Sequence, residues 1–137
     1  MDLPLAMHKL AFKAAETSRC AGDQGKYWEM HDRLFQHQRA LEPWSSHAEA
    51  LGLDVAQFDE CLAKGKHADS IRKDMATAGS AGATGTPSFV LGLTDPDDPK
   101  KVKGLKFIRG AQPFATFKAE IDKALPGTPV VAGPETE

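Results

Sequence analysis

Apolar residues recur every three to four positions over most of the first 80 residues, and this spacing predicts a series of helices. The predicted helices cover about residues 6–21, 24–38, 46–52, 54–65 and 67–79. Two of them begin at a capping box, in which a side chain at the N-cap and a second one three residues later bind orphan amides. The boxes are Ser46 to Glu49 and Asp54 to Gln57.

The pattern changes after about residue 85. Two apolar runs, Ser88 to Leu93 and Leu105 to Arg109, predict strands, and the Asp- and Pro-rich segment 94–101 between them predicts a turn. A last helix is expected to start at Pro113, with a buried stripe of Phe114, Phe117, Ile121 and Leu125. Residues 126–137 are rich in Pro and Gly and are expected to be a disordered tail. The pattern predicts a helical block followed by a β-hairpin and a helix.

Composition narrows the class of protein. A chain of 137 residues favours one domain, and a net charge of −2 gives no basic surface for nucleic acid. There is no apolar run of the roughly 20 residues that cross a bilayer, so no membrane association is expected. The first residues do not resemble a secretion signal, and the chain as written is expected to be cytoplasmic.

Pro87 stands directly before the first predicted strand, where a residue without an amide proton is tolerated only at the strand's start. A cis proline in a tight turn would leave the backbone of Thr86 free, but cis bonds are uncommon. Taken alone, the Thr86-Pro87 pair favours a trans proline that simply begins the strand.

Three segments, residues 20–38 (CAGDQGKYWEMHDRLFQHQ), 51–92 and 108–125, closely resemble the DsbA-like thioredoxin family in order and spacing. The resemblance covers roughly residues 3–125. It implies an α/β, helix-rich, partial thioredoxin-like fold within one domain, 1–125. In that fold a helical insertion (about 6–80) precedes a cis-proline loop, hairpin and helix (83–125).

The resemblance also implies a site. Pro87 matches the family's cis-proline, and Thr86 matches the substrate-binding residue beside the redox centre. The family's Cys-x-x-Cys and first strand have no counterpart in this sequence, so no catalytic residue is assigned and conventional redox activity is not expected. Full-length relatives are often extracytoplasmic. The implied sheet has an open edge, which predicts a homodimer or another pairing of Asp2–Leu5.

Cys20 and Cys61 match cysteines that form a structural bridge within the family's helical insertion. The alternative is two buried, reduced thiols. No metal site or cofactor is expected, because the histidines form no paired motif and His67 lies six residues from Cys61, which is not helical spacing. Tyr27, Trp28 and Phe35 are expected to be core residues of their helix.

Three functions remain open at this point. The first is that of a DsbA-like family member without conventional redox activity. The second is that of a binding module that holds an extended peptide or a small thiol such as glutathione at Thr86 and Pro87. The third is a stress- or metal-tolerance protein that uses Cys20 or Cys61.

Overall fold

The computed structural model describes residues 1–125 and divides the chain into two compact units. One unit is Met1–Thr84, and the other consists of the residues from Gly85 onward. The expected tail at 126–137 lies outside the described residues. Each unit is described by itself below.

Five helices make up the first unit, and all five were predicted from apolar spacing. They are α1 Ala11–Gly22, α2 Tyr27–Gln36, α3 Trp44–Ala50, α4 Val55–Ala63 and α5 Ala68–Ser80. The first helix starts five residues later than predicted, because residues 6–10 form turns in which His8 donates its amide proton to the Leu5 carbonyl.

Asp2–Leu5 forms no strand in the described structure. Asp2 is held instead by Arg19 of α1, whose Nε donates to Asp2 Oδ2 over 2.6 Å, and Arg19 also donates to Asp74 of α5 over 2.7 Å. Burial alone would lower the pKa of Arg19, but its hydrogen bonds and ion pairs with the two carboxylates raise it above the ordinary value. These contacts fix the start of the chain to two helices.

The two predicted capping boxes have different outcomes. Asp54 caps α4 as predicted, since its side chain accepts a hydrogen bond of 3.0 Å from the amide of Gln57. The second bond of this box is not made by Gln57, because the Asp54 amide donates to Gln24 Oε1 instead. The capping box predicted at Ser46 is wrong, because α3 begins at Trp44, two residues before Ser46, and Pro43 is its N-cap residue. Ser46 is therefore inside the first turn, and its hydroxyl donates to the Pro43 carbonyl.

The hydrophobic core of this unit lies where the first four helices meet. Its buried members are Cys20, Ala21, Met30, Leu34, Ala48, Phe58, Cys61 and Leu62. Phe58 is the largest fully buried side chain, and Ile71 of α5 is fully buried as well. Because burial of a large apolar side chain stabilises by about 1.5–3 kcal/mol, this cluster supplies much of the unit's stability.

The second unit contains a hairpin and a helix in its described part. Strand β1, Ser88–Thr94, pairs antiparallel with β2, Val102–Arg109, and α6 covers Phe114–Ala124. The register shifts at Gly92, where a side chain could not fit, because a Cβ would lie 2.7 Å from the carbonyl oxygen of Lys103. The second strand starts three residues earlier than predicted.

The predicted buried stripe of α6 is wrong. None of its residues is buried, and Phe114 is 78% exposed. Phe117 does pack on the sheet, edge-on against Phe89 with ring centroids 4.9 Å apart. Two strands are too narrow to cover the rest of the stripe, so Ile121 and Leu125 stay exposed.

The described part of the chain therefore has six helices and one small antiparallel sheet. This confirms the predicted helix-rich α/β class with a hairpin and helix at its end. Within residues 1–125, no helix is both long and apolar enough to span a bilayer.

Candidate functional site

The loop before β1 carries the two residues expected to bind substrate. Thr86 and Pro87 are both exposed, and the peptide bond that joins them is cis. The loop is fixed on either side of Thr86. The Ser88 hydroxyl donates to the Gly85 carbonyl over 2.7 Å, and the Gly110 amide donates to the Pro87 carbonyl over 2.9 Å.

The backbone of Thr86 is free. Within residues 1–125 its amide proton and its carbonyl oxygen have no hydrogen-bond partner. The adjoining strand β1 is paired with β2 on one side, and its other edge has no partner strand among the described residues. An exposed donor and acceptor at a free sheet edge can pair with an extended peptide.

The second group of predicted site residues forms a disulfide. Cys20 of α1 and Cys61 of α4 are bonded, with their Cα atoms 5.9 Å apart. The sequence left open a disulfide bridge or two reduced thiols, and the structure contains the bridge. It ties together two helices whose cysteines are separated by 41 positions.

Three polar side chains surround this disulfide. Asp23 Oδ2 lies 2.9 Å from Lys66 Nζ, 2.9 Å from His67 Nε2 and 3.6 Å from the Cys61 sulfur. A disulfide sulfur has no proton to donate, so the last distance is a contact and not a hydrogen bond. Burial would raise the pKa of Asp23, but the hydrogen bonds and charges of Lys66 and His67 together lower it below its ordinary value.

Sequence reasoning missed this group because it depends on a turn between helices. Gly65 adopts a left-handed φ of 58°, and the amide of Lys66 then donates to the Cys61 carbonyl. The chain folds back, and His67 reaches the cysteines despite its non-helical spacing. One signal was available, since Cys20 and Asp23 are three residues apart and share a helix face.

Replacing Asp23 with Asn is expected to destabilise the chain by about 0.5–1 kcal/mol at pH 7, the usual value of a partly exposed ion pair. The folded pKa of Asp23 is lowered, so its contribution is complete above the ordinary carboxyl pKa and is lost as the pH falls through the lowered value. Urea unfolding between pH 7 and pH 2.5 measures this. The gap between wild type and variant should close in acid.

Asp59→Asn provides the matched control, because this exposed residue lies on the same helix as Cys61 and the change removes the same charge. Its effect should be small and nearly independent of pH. A gap for Asp23→Asn that does not narrow as the pH falls would contradict the ion-pair account.

Two of the three aromatic residues of α2 that were expected in the core lie outside it, while Tyr27 is half-buried. Trp28 is 68% and Phe35 is 64% exposed, because α2 turns Met30 and Leu34 into the core instead. The His31 ring lies between the rings of Trp28 and Phe35, and its centroid is 5.3 Å from that of Trp28 and 4.8 Å from that of Phe35. Beside this row is an apolar groove of about 870 Å³. Its lining includes Leu3, Leu10, Ala14, Tyr27, Phe35 and Leu41.

Known proteins resemble this chain in part. Na⁺/H⁺ antiporter NhaA 1 of Salinispora arenicola is 44% identical over 92 residues, which are 65% of this chain and 14% of the antiporter. Na⁺/H⁺ antiporter NhaA 3 of Salinispora tropica is 38% identical over 106 residues, 75% of this chain and 16% of the antiporter. NhaA 1 of Mycolicibacterium vanbaalenii is 50% identical over 56 residues, 39% of this chain and 9% of the antiporter.

The chain thus spans about a sixth or less of the length of these relatives. No solved structure matches it. A family model described as "DSBA-like thioredoxin domain" matches residues 1–122, nearly the whole described chain. The chain therefore belongs to the DSBA-like thioredoxin domain family.

Proposed function

We propose that this chain is a binding module that holds an extended peptide at Thr86 and Pro87 and does not itself exchange disulfides. The observation that carries the proposal is the free backbone of Thr86, exposed at the entrance to a strand with an open edge. A peptide in the extended conformation would accept from the Thr86 amide and donate to its carbonyl.

The surroundings of Thr86 favour a peptide with apolar side chains. Phe89, Val90 and Leu93 of β1 are each about half exposed. Two backbone hydrogen bonds contribute only about 0.5–1.5 kcal/mol each, so apolar contacts of this kind must supply part of the affinity. The expected binding is weak and tolerant of sequence.

The cysteines support the absence of exchange by this chain. Its two cysteines are bonded to each other, and Cys20 is only 1% exposed. Both lie in the last turns of helices, away from the helix N-termini that lower a thiol pKa. An enzyme that uses either thiol, as in the stress- or metal-tolerance alternative, would first have to break this bridge.

Peptide binding is tested with ¹⁵N-labelled protein and an extended, apolar, proline-free peptide. We expect amide signals of residues 84–94 to shift in wild type. Thr86→Pro removes the amide donor and should weaken binding by about fivefold, since one lost hydrogen bond costs about 1 kcal/mol. Thr86→Ala keeps the donor and serves as the matched control.

The fold of both variants is checked by circular dichroism. Equal binding by wild type and by a folded Thr86→Pro variant would contradict the proposal. Shifts caused by reduced glutathione but not by the peptide would favour the small-thiol alternative.

Association of two copies through their β1 edges is the expected state without peptide, because the edge of β1 that has no partner among the described residues offers unpaired backbone groups to a second strand. Light scattering should give a mass near that of a dimer at high concentration, and excess peptide should return it to the monomer. Val90→Lys places a charge on β1 and should abolish the dimer, whereas Trp28→Lys, in the other unit, should not. A monomer at every concentration would contradict this pairing.

A second candidate function is favoured by the names of the relatives, which are Na⁺/H⁺ antiporters. In this case the chain would act together with such an antiporter. The test is Na⁺/H⁺ exchange in membrane vesicles that contain the Salinispora arenicola antiporter without its matched segment. A rate that changes when this chain is added supports the candidate, and an unchanged rate contradicts it.

A further inference from the structure

Potential metal ligands meet at the Cys20–Cys61 bridge in the first unit. The sulfurs of Cys20 and Cys61 and a ring nitrogen of His67 lie within 4.8 Å of one another. Asp23 Oδ2 adds a fourth atom, 2.9 Å from His67 Nε2 and 3.6 Å from the Cys61 sulfur. Two sulfurs, a nitrogen and a carboxylate oxygen form a donor set suited to tetrahedral zinc.

The fold holds these groups at three helix ends. Cys20 is in the last turn of α1 and Asp23 is that helix's C-cap. Cys61 is in the last turn of α4, and His67 is the N-cap residue of α5. Cys20 and Cys61 are buried in the core, and Asp23 and His67 each lie within one turn of a helix end, so the four groups do not depend on a long loop.

The bridge itself decides whether the donors are available, because bonded sulfurs are not thiolate ligands. A dithiol reductant would break the S–S bond by supplying two electrons and two protons, and would itself become a disulfide. Each cysteine then carries a thiol. Both thiol protons pass to solvent when a metal ion takes their place.

We propose that the reduced chain binds one Zn²⁺ through Cys20, Cys61, His67 and Asp23, so that the bridge is a redox-controlled zinc site. With Zn–S bonds of about 2.3 Å, tetrahedral geometry separates the sulfurs to about 3.8 Å. The Cα separation of 5.9 Å leaves room for this without moving either helix far.

The accessibility and the charge of this site are suited to reversible binding of a metal ion. The cysteines are buried, but His67 and Asp23 are partly exposed. A cavity of about 500 Å³ is lined by both cysteines together with Asp23 and Lys66. Lys66 Nζ now lies 2.9 Å from Asp23 Oδ2, the place that a cation would take. Lys66 therefore competes with the metal ion, and its removal should strengthen binding.

Cobalt titration of the whole chain tests the proposal, with Co²⁺ as the spectroscopic probe for Zn²⁺. Protein reduced with a phosphine should bind one Co²⁺ per chain, with a thiolate charge-transfer band and the strong visible bands of a four-coordinate ion. Zn²⁺ should displace it. The oxidised protein should show none of these bands.

Variants identify the ligands. His67→Ala and Asp23→Asn should each weaken cobalt binding at least about tenfold, since even groups outside the coordination sphere contribute that much. Lys66→Gln should strengthen it severalfold. His8→Ala is the matched control and should have no effect, because His8 lies outside the cluster.

The proposal also predicts that Zn²⁺ raises the melting temperature of the reduced chain and not that of the oxidised chain. If the reduced chain is unfolded without metal, Zn²⁺ must restore its helices. Absence of binding, no thermal shift, a reduced chain that stays unfolded with Zn²⁺, or equal binding by His67→Ala and His8→Ala would each overturn the proposal.

Discussion

Loss of the Cys20–Cys61 bridge is expected to lower the free energy of unfolding of the helical unit by about 4 kcal/mol, for a loop that spans 41 positions. The bridge restricts the unfolded chain more than the folded one, because it joins α1 to α4 across the intervening helices. The total free energy of unfolding of a domain is about 5–15 kcal/mol, so this loss would be a large fraction of the stability.

The measurement is urea unfolding of oxidised wild type and of Cys20→Ala/Cys61→Ala, followed by circular dichroism with a chelator present. Wild type should approach the variant when dithiothreitol is added, while the variant itself should not respond to the reductant. A difference below about 1 kcal/mol would show that the bridge stabilises little and would contradict the chain-entropy argument.

Truncation of Phe58 to Ala is expected to destabilise the same unit by about 3–5 kcal/mol. Its ring is 0% exposed and packs in the core cluster with Met30, Ala48 and Leu62. The substitution removes apolar contacts and leaves a cavity that the surrounding helices fill only in part. Both effects lower the stability of the folded state.

Phe35→Ala is the matched control, since it removes the same ring from a side chain that is 64% exposed. It should cost less than about 1 kcal/mol. The two variants are compared by urea unfolding under oxidising conditions. Similar losses for both, or a loss below 1 kcal/mol for Phe58→Ala, would contradict the assignment of the core.

Most of the secondary structure could be predicted from the sequence, because local periodicity and caps determine it. Asp54 is the clearest case, where an N-cap residue makes the expected bond to Gln57. The capping box predicted at Ser46 is wrong because that helix begins at Trp44, with Pro43 as its N-cap residue. The prediction that the apolar stripe of α6 is buried was wrong for another reason. Apolar spacing reports which face could be buried, and Phe114 remains exposed where the described sheet does not reach it.

The candidate site was only partly predictable. Thr86 and Pro87 were proposed from the proline before the strand and from the family resemblance. The groups around the bridge could not be found by helical spacing. His67 reaches Cys61 only through the reversal at Gly65, and Lys66 and Asp23 meet only when α1 and α4 have packed. Contacts of this kind are tertiary, and one sequence does not encode them in a local pattern.

The central proposal is that this chain does not exchange disulfides through Cys20 and Cys61. It is tested most directly by the rate at which dithiothreitol reduces insulin, with wild type or Cys20→Ala/Cys61→Ala present. The account predicts that neither protein accelerates the reaction beyond the reductant alone. Acceleration by wild type that disappears in the variant would contradict it and would make the bridged cysteines catalytic.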